Sequence, residues 1–212
     1  FEADKEVYHV QGGKKIRLSR PQQLMAAERE IIEEAYAGDI IGVFDPGIFS
    51  IGDTLCAPGK KFRFDPIPTF APEHFNRVRS LDTMKRKQFL KGMEQIAQEG
   101  AIQIFKTPYT GMEEVIVGVV GTLQFDVLEY RLKNEYNVEL YMEGLPYEYL
   151  RWITTDDGEP VKEEDLILGT DVKLVEDYKG NQLLLFGSQW AVGWTQERNP
   201  NLTFHEFGGT QF

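Results

Sequence analysis

Residues 118–140 read GVVGTLQFDVLEYRLKNEYNVEL, and this stretch passes from a strand pattern to a helix pattern and back again. The β-branched run that ends at Val120 indicates a buried strand, which Gly121 interrupts. Asn134 and Asn137 bracket the end of the helix, and in residues 138–143 apolar and polar side chains alternate as in a half-exposed strand. The stretch therefore predicts a strand, a helix and a strand in succession.

The helix predicted from residue 123 onward carries two neighbouring lines of apolar side chains at helical spacing. One line holds Leu123, Val127 and Tyr130, and the other holds Phe125, Leu128 and Leu132. Thr122 is placed to cap the first turn. The two lines together predict one broad buried face.

The residues before this stretch supply the other half of a split β-α-β-β-α-β unit. The further predicted elements are strands over 75–81, 101–105 and 114–120 and a helix over 83–99. Asp82 is placed to cap that helix, and Gly100 to end it. The pattern predicts a ferredoxin-like domain over residues 73–143, in which a four-stranded sheet carries two helices on one face.

Residues 144–212 are expected to form an α/β extension of that domain. Its predicted elements are strands over 149–155, 173–176, 183–186 and 202–206 and a short helix over 189–198. Trp190 and Trp194 lie one helical turn apart, and we interpret them as buried packing residues rather than as platforms that stack nucleotides.

The first 65 residues are typical of an antiparallel barrel or sandwich. Two alternating stretches flank Gln11-Gly-Gly13, which predicts a β-hairpin. Gly-Asp corners recur at Gly38 and Gly52, and residues 40–43 are expected to form a buried strand. Three prolines in residues 66–72 indicate a stiff linker. The fold class is therefore α+β, with part of a β-barrel over 1–65 followed by the ferredoxin-like domain and its extension.

The composition of the chain and the spacing of its histidines limit the functions that we expect of it. The chain carries a net charge of −11 and a single cysteine, Cys56, so no intrachain disulfide can form. His9, His74 and His205 are not spaced as metal ligands, and no serine or cysteine nucleophile motif accompanies them, so we expect no catalytic residue, cofactor site or metal site. No apolar run approaches the length of a membrane span, which predicts a cytoplasmic protein without membrane contact.

Positive charge is concentrated in two stretches of this acidic chain. A protein that is repelled from RNA on average needs a local positive patch to orient it, because lysine and arginine contact phosphates without reading sequence. The main candidate residues for an RNA-facing surface are Arg77, Arg79, Lys85, Arg86, Lys87 and Lys91, and the weaker second set is Lys14, Lys15, Arg17 and Arg20. The alternative interpretation, a solvated charged face, stays open.

Several motifs resemble the translational GTPases. Residues 33–43 together with Ile51-Gly-Asp-Thr-Leu55 are similar to the second half of the β-barrel that follows the G domain in that family. Residues 121–139 resemble the second helix and last strand of the next domain, most closely in the release factor 3 family. Further similarities to that family, which elongation factor G matches less well, lie at 72–75, 87–92, 99–105, 149–155 and 190–204.

This resemblance implies the C-terminal fragment of a ribosome-binding GTPase that promotes departure of the class I release factor after peptide release. GTP or GDP and magnesium would bind only to a G domain outside these residues, so the chain itself is expected to be no enzyme. Gly12-Gly-Lys-Lys15 lacks the pattern of a phosphate-binding loop.

The implied partners are ribosomal RNA and small-subunit protein, the class I release factor indirectly, and the chain's own G domain. We expect an incomplete barrel with unpaired edge strands to favour self-association of the fragment or to leave an exposed, mobile N-terminal region. Two alternatives stay open: a fragment of another ribosomal GTPase similar to elongation factor G, and a ferredoxin-like module that binds a small regulatory molecule.

Overall fold

The structure is a computed structural model that describes residues 1–18, 22–25, 28–44, 48–60, 62–65, 67, 69–108 and 114–208. The chain divides into two compact units, Phe1–Ile67 and Pro68–Phe212. Among the described residues, no helix combines the length and the apolar character needed to cross a membrane.

The first unit is made of short antiparallel strands. They are β1 Glu6–His9, β2 Lys14–Arg17, β3 Gln22–Met25, β4 Glu28–Ile31 and β5 Leu55–Cys56. One sheet has the order β2-β1-β5, and β3 pairs with β4 in a separate hairpin. The turn between β1 and β2 places Gly13 at φ +62°, which confirms the predicted hairpin and its use of glycine.

A hydrogen bond from a distant turn holds the end of this hairpin. The buried His9 ring lies with its Nε2 atom 2.8 Å from Oδ2 of Asp53, and the same carboxylate oxygen accepts the backbone N–H of Ser50 at 2.8 Å. Asp53 therefore ties its own turn to β1, which is a structural use of the Gly-Asp corner.

The buried strand predicted over residues 40–43 is wrong. Ile40 is 87% exposed, Ile41 and Val43 are only half-buried, and none of the four residues belongs to a described strand. A short β-branched run has a preference for extended backbone, but that preference forms a strand only where a partner strand and a packing surface exist.

The second unit contains the three α-helices of the described chain and ten further strands. They are β6 Thr69–Phe70, β7 His74–Ser80, α1 Arg86–Gln98, β8 Gln103–Lys106, β9 Glu114–Val119, α2 Leu123–Tyr136, β10 Leu140–Leu145, β11 Tyr149–Thr155, β12 Val172–Asp177, β13 Gln182–Phe186, α3 Gln189–Arg198, β14 Leu202–His205 and β15 Phe207–Gly208. Eight of these strands form one sheet in the order β10-β7-β9-β8-β12-β13-β11-β14.

The first four positions of this sheet confirm the split β-α-β-β-α-β unit. β10, β7, β9 and β8 are antiparallel neighbours, and α1 and α2 cover one face of them. Alternation along β9 assigns its two faces: Val115, Val117 and Val119 face the helices, whereas Ile116 packs in the core on the opposite face. β9 is therefore buried on both sides.

The extension continues the same sheet rather than forming a separate layer. β12 pairs with β8 and aligns Glu176 with Lys106, whose side chains form an ion pair at 3.2 Å. Beyond β12, a third core lies beneath α3, where Ala191 and Val192 pack on Leu184 and Phe186. The predicted hairpin, helix and last strand of the extension are confirmed.

The predicted broad buried face of α2 is half wrong. Phe125, Leu128 and Leu132 are buried as expected, but Leu123 is 75% exposed, and Val127 and Tyr130 are also exposed. The sheet covers only one of the two apolar lines, so the other faces outward.

Of the two predicted helix caps, the one at Thr122 is wrong and the one at Asp82 is confirmed only in part. Thr122 makes no capping hydrogen bond, and Oε1 of Gln124 instead accepts the backbone N–H groups of Val120 and Gly121 at 3.0 Å each. Asp82 does accept the backbone N–H of Met84, at 2.9 Å, but the turn it caps is a 3₁₀ turn over Thr83–Lys85, and α1 proper begins at Arg86.

Candidate nucleic-acid interface

The predicted basic stretch divides between the two faces of the sheet. Phe75 packs in the core opposite the helices, whereas Val78 packs beneath them. Since alternate residues of a strand share a face, Arg77 and Arg79 lie on the side of Phe75. The cations of residues 85–91 belong instead to the helical side. The basic residues of this one stretch of sequence therefore lie in two separate groups in the structure.

Each of the two arginines of β7 contacts a side chain of the neighbouring strand β10. Arg77 is aligned with Glu143 across the strands, and its guanidinium donates a hydrogen bond to that carboxylate at 3.2 Å. Arg79 is aligned with Tyr141, and its Cζ atom lies 4.6 Å above the centre of the tyrosine ring. Tyr141 was missed by sequence reasoning, because the contact depends on a register between strands that lie 60 residues apart.

Lys85 has a structural contact that the sequence does not indicate. Its Nζ atom donates a 2.6 Å hydrogen bond to the backbone carbonyl of Asn137, the left-handed residue that ends α2. A lysine at this position satisfies a carbonyl at a helix C-terminus and complements the negative end of the helix dipole. Lys85 is therefore a capping residue as well as a surface cation.

Arg86, Lys87 and Lys91 form the exposed basic group of α1. All three side chains are exposed, and Lys87 and Lys91 lie one turn apart on the helix. In the part of the chain that the structure describes, no salt bridge is formed by Lys87 or Lys91. The side chains of these three cations are therefore exposed together on α1.

The second predicted set lies on β2, an edge strand of the first unit. Lys14, Lys15 and Arg17 are exposed, and Lys15 forms an ion pair with Glu6 of β1 at 3.4 Å. Alternation along the strand places Lys15 and Arg17 on one face and Lys14 on the other. Arg20 lies outside the described residues.

An open cleft of about 1010 Å³ is lined by the first residues of β7, by Thr122 and Phe125 at the start of α2, and by residues 144–151. Its lining includes His74, Asn76, Tyr147 and Arg151, and contains no serine or cysteine among the described residues. Burial raises the pKa of Tyr147, and the nearby charge of Arg77 acts in the opposite direction.

The fold thus consists of an antiparallel β unit and a ferredoxin-like unit whose first helix carries exposed cations. Family models divide the chain in the same order. The model described as elongation factor G domain 2 matches residues 1–58, and the model described as class II release factor RF3, C-terminal domain, matches residues 64–196.

The chain belongs to the class II release factor RF3 family. It is 50% identical over 204 residues to peptide chain release factor 3 of Symbiobacterium thermophilum and 46% identical over 206 residues to that of Gloeobacter violaceus. The protein of the same name from Listeria welshimeri is 43% identical over 202 residues. These matches cover 95–97% of the chain but only 37–38% of the relatives' length.

Proposed function

We propose that this chain is the ribosome-interacting C-terminal part of a translation termination factor. In the intact factor, a G domain outside these residues would bind GTP and magnesium, and the factor would promote dissociation of the class I release factor in the cytoplasm. The observation that carries the proposal is the match of the second unit, over residues 64–196, to the RF3 C-terminal family. This match favours a termination factor over a small-molecule regulatory module.

Within that function, the exposed cations of α1 are proposed to contact ribosomal RNA. Arg86, Lys87 and Lys91 supply three positive charges on a chain of net charge −11. The acidic background repels phosphates, so the local patch determines which face approaches the RNA. The N-terminal turn of a helix disfavours cations unless an anion is bound nearby, and a phosphate would remove that unfavourable interaction.

Replacing Arg86, Lys87 and Lys91 by glutamine in the intact factor is expected to weaken ribosome binding and to flatten its salt dependence. If all three contact phosphates, the slope of log K against log salt should fall by about two to three units. Binding would be measured by filter retention or sedimentation with purified ribosomes over a series of salt concentrations. Lys85 is left unchanged, because its loss would also remove the cap of α2.

A matched control is Lys133→Gln, Lys162→Gln and Lys179→Gln, which removes the same charge from exposed positions elsewhere in the second unit. We expect this control to keep most of the salt slope. GTP affinity of the intact factor should be the same in both variants. An equal loss of slope in both would show a general charge effect and would contradict the assignment of the α1 patch.

The chain itself is expected to show no measurable affinity for GTP. The sequence contains one Gly-Gly-Lys-Lys element, which begins at Gly12. Its two glycines lie in the turn of a β-hairpin rather than between a strand and a helix. A hairpin turn cannot direct a helix N-terminus at a phosphate. Titration calorimetry of the chain with GTP and magnesium tests this, and specific saturable heat would contradict it.

A further inference from the structure

The turn that precedes α1 presents apolar side chains to solvent. Met84 lies in the 3₁₀ turn over Thr83–Lys85, and its side chain is 90% exposed. No other large apolar side chain in the described part of the chain is more exposed. Leu81, just before the turn, is 56% exposed, and neither side chain packs in any of the three hydrophobic cores. The packing of the fold therefore does not account for Met84.

Hydrogen bonds fix the backbone that carries Met84. The backbone N–H of Met84 donates to the carboxylate of Asp82 at 2.9 Å, and the backbone N–H of Lys85 donates to the carbonyl of Asp82 at 3.1 Å. The N–H of Leu81 donates to the carbonyl of Glu139, just before β10, at 2.9 Å. The side chain of Lys85 joins the same turn to the carbonyl at the end of α2. The position of Met84 is thus determined from both sides of the turn.

The exposed apolar side chains lie directly beside the basic group of α1. Arg86 and Lys87 follow the turn immediately, and Lys91 lies one helical turn beyond Lys87. Residues 81–91 contain a single acid, Asp82, whose carboxylate caps the turn. A partner that covers this surface must therefore carry negative charge and must also offer an apolar face to Met84.

We infer that this surface binds unpaired nucleotides of RNA, whose phosphates contact the cations of α1 and whose bases cover Met84 and Leu81. This inference rests on the proposed contact between α1 and RNA, and it adds the class of RNA. A duplex in the A form offers mainly phosphates, 2′-hydroxyls and base edges, whereas the bases of loops and single strands expose their apolar faces. Cations alone are sufficient to hold a duplex, so Met84 is the observation that favours unpaired nucleotides.

The outer side of α3 is another candidate surface for stacking bases. The ring centres of Trp190 and Trp194 lie 6.2 Å apart, and the Cζ atom of Arg198 lies 5.1 Å from the centre of the Trp194 ring. Trp190 is 72% exposed, so the interpretation of both tryptophans as buried packing residues is wrong for Trp190. The charged residues of α3 are Arg198 and the adjacent Glu197, so this helix has no net charge to attract phosphates. The three cations of α1 therefore favour the turn before α1.

Two labelled RNAs with the same number of phosphates test the inference by fluorescence anisotropy at low salt. One is a single-stranded oligouridylate, and the other is a blunt duplex. Charge alone favours the duplex, because its phosphates are more densely spaced. We expect the opposite order, with the oligouridylate bound more tightly by the chain. A duplex that binds as tightly as the oligouridylate, or more tightly, would overturn the inference.

Met84→Gln locates the contact, because glutamine keeps the length of the side chain and replaces its apolar end. We expect this variant to bind the oligouridylate about tenfold more weakly and the duplex as tightly as before. Trp190→Ala is the matched control, since it removes another exposed apolar side chain of the second unit, and it should change neither affinity. Both variants should unfold at the temperature of the unmodified chain. Unchanged oligouridylate binding by Met84→Gln, or an equal or larger loss in Trp190→Ala, would overturn the inference.

The variant with Arg86, Lys87 and Lys91 replaced by glutamine separates this inference from the function on which it rests. It should weaken the binding of both RNAs. If the unmodified chain binds neither RNA, the proposed contact of α1 with RNA is refuted, and this inference with it. If the triple variant weakens both RNAs while Met84→Gln weakens neither, only the choice of unpaired nucleotides is overturned.

A labelled peptide of alternating glutamate and leucine tests the other occupant that carries negative charge and apolar groups, an acidic protein segment. We expect it to bind more weakly than the oligouridylate. Tighter binding of this peptide, lost in Met84→Gln, would overturn the choice of RNA and identify the surface as a docking site for protein.

Discussion

Leu128→Ala is expected to lower the free energy of unfolding by about 2–5 kcal/mol, whereas Leu123→Ala should change it by less than about 0.5 kcal/mol. Both are leucines of α2, and the same atoms are removed. Leu128 is 0% exposed and lies in the core between α1, α2 and the sheet, so its truncation leaves a cavity. Leu123 is 75% exposed, so its side chain already contacts water.

Urea denaturation of the second unit within the complete chain measures both changes. The slope of the unfolding free energy against urea should be the same for both variants, because neither alters the surface exposed on unfolding by much. Equal destabilisation by the two substitutions would show that the outer apolar line of α2 is also packed, and would contradict the orientation of the helix described above.

The helix α2 shows what periodicity can and cannot predict. Helical spacing identified both apolar lines and the first residue of the helix, Leu123. The helix ends at Tyr136, between the two asparagines expected to bracket its end. It could not tell which line faces the sheet, because that choice depends on β7, β9 and β10 packing together. The capping by Gln124 was also missed, since a threonine just before the helix is the common signal and a glutamine inside the first turn is not.

The ferredoxin-like order was predictable because each of its strands and helices has its own pattern in the sequence. The continuation of the sheet through β12 was not, because β9 is apolar from Val115 to Val119 and gives no sign of what covers its second face. That cover comes from Leu150, Trp152 and Val175, far along the chain. A fully apolar strand indicates burial on both sides but does not identify the partners.

The sequence showed which residues of the candidate surface are basic, but it could not show where the fold places their side chains. Charge counting found Arg77 through Lys91 as a basic stretch, but strand alternation sends the β7 arginines to the face opposite the helices. Lys85 donates a hydrogen bond to the backbone carbonyl of Asn137, which lies 52 positions away in the sequence. Only contacts between residues distant in sequence reveal such interactions within the protein. Fewer cations are therefore available to an external anion than the sequence indicates.

Gly92→Ala is expected to destabilise the chain by about 1–3 kcal/mol, although alanine is the better helix former. Gly92 lies where α1 crosses α2, and an added Cβ atom would lie 2.3 Å from Cδ2 of Leu132 and 3.0 Å from the ring of Tyr136. Neither neighbour can move easily. Leu132 is fully buried, and the Tyr136 hydroxyl donates a 2.8 Å hydrogen bond to the side chain of Gln95.

Gly193→Ala is the matched control, and we expect the opposite sign. Gly193 lies inside α3, where an added Cβ atom would meet nothing within 4 Å. Alanine there should raise stability by about 0.5–1 kcal/mol, because it restricts the unfolded chain and favours the helix without a clash. Both free energies come from the same urea titration. Stabilisation by Gly92→Ala would show that α1 and α2 are farther apart than the structure places them.

A double variant separates the clash from any general effect of residue 92. Leu132→Ala removes the nearer of the two side chains that the new Cβ atom would meet, at its own cost of about 2–5 kcal/mol. Gly92→Ala added to Leu132→Ala should then cost much less than it does alone, because the space has been opened. The difference is the coupling free energy between the two positions, and for residues in direct contact it is about 0.5–3 kcal/mol. A coupling of zero would mean that Gly92 is required for a reason other than the close approach of the two helices.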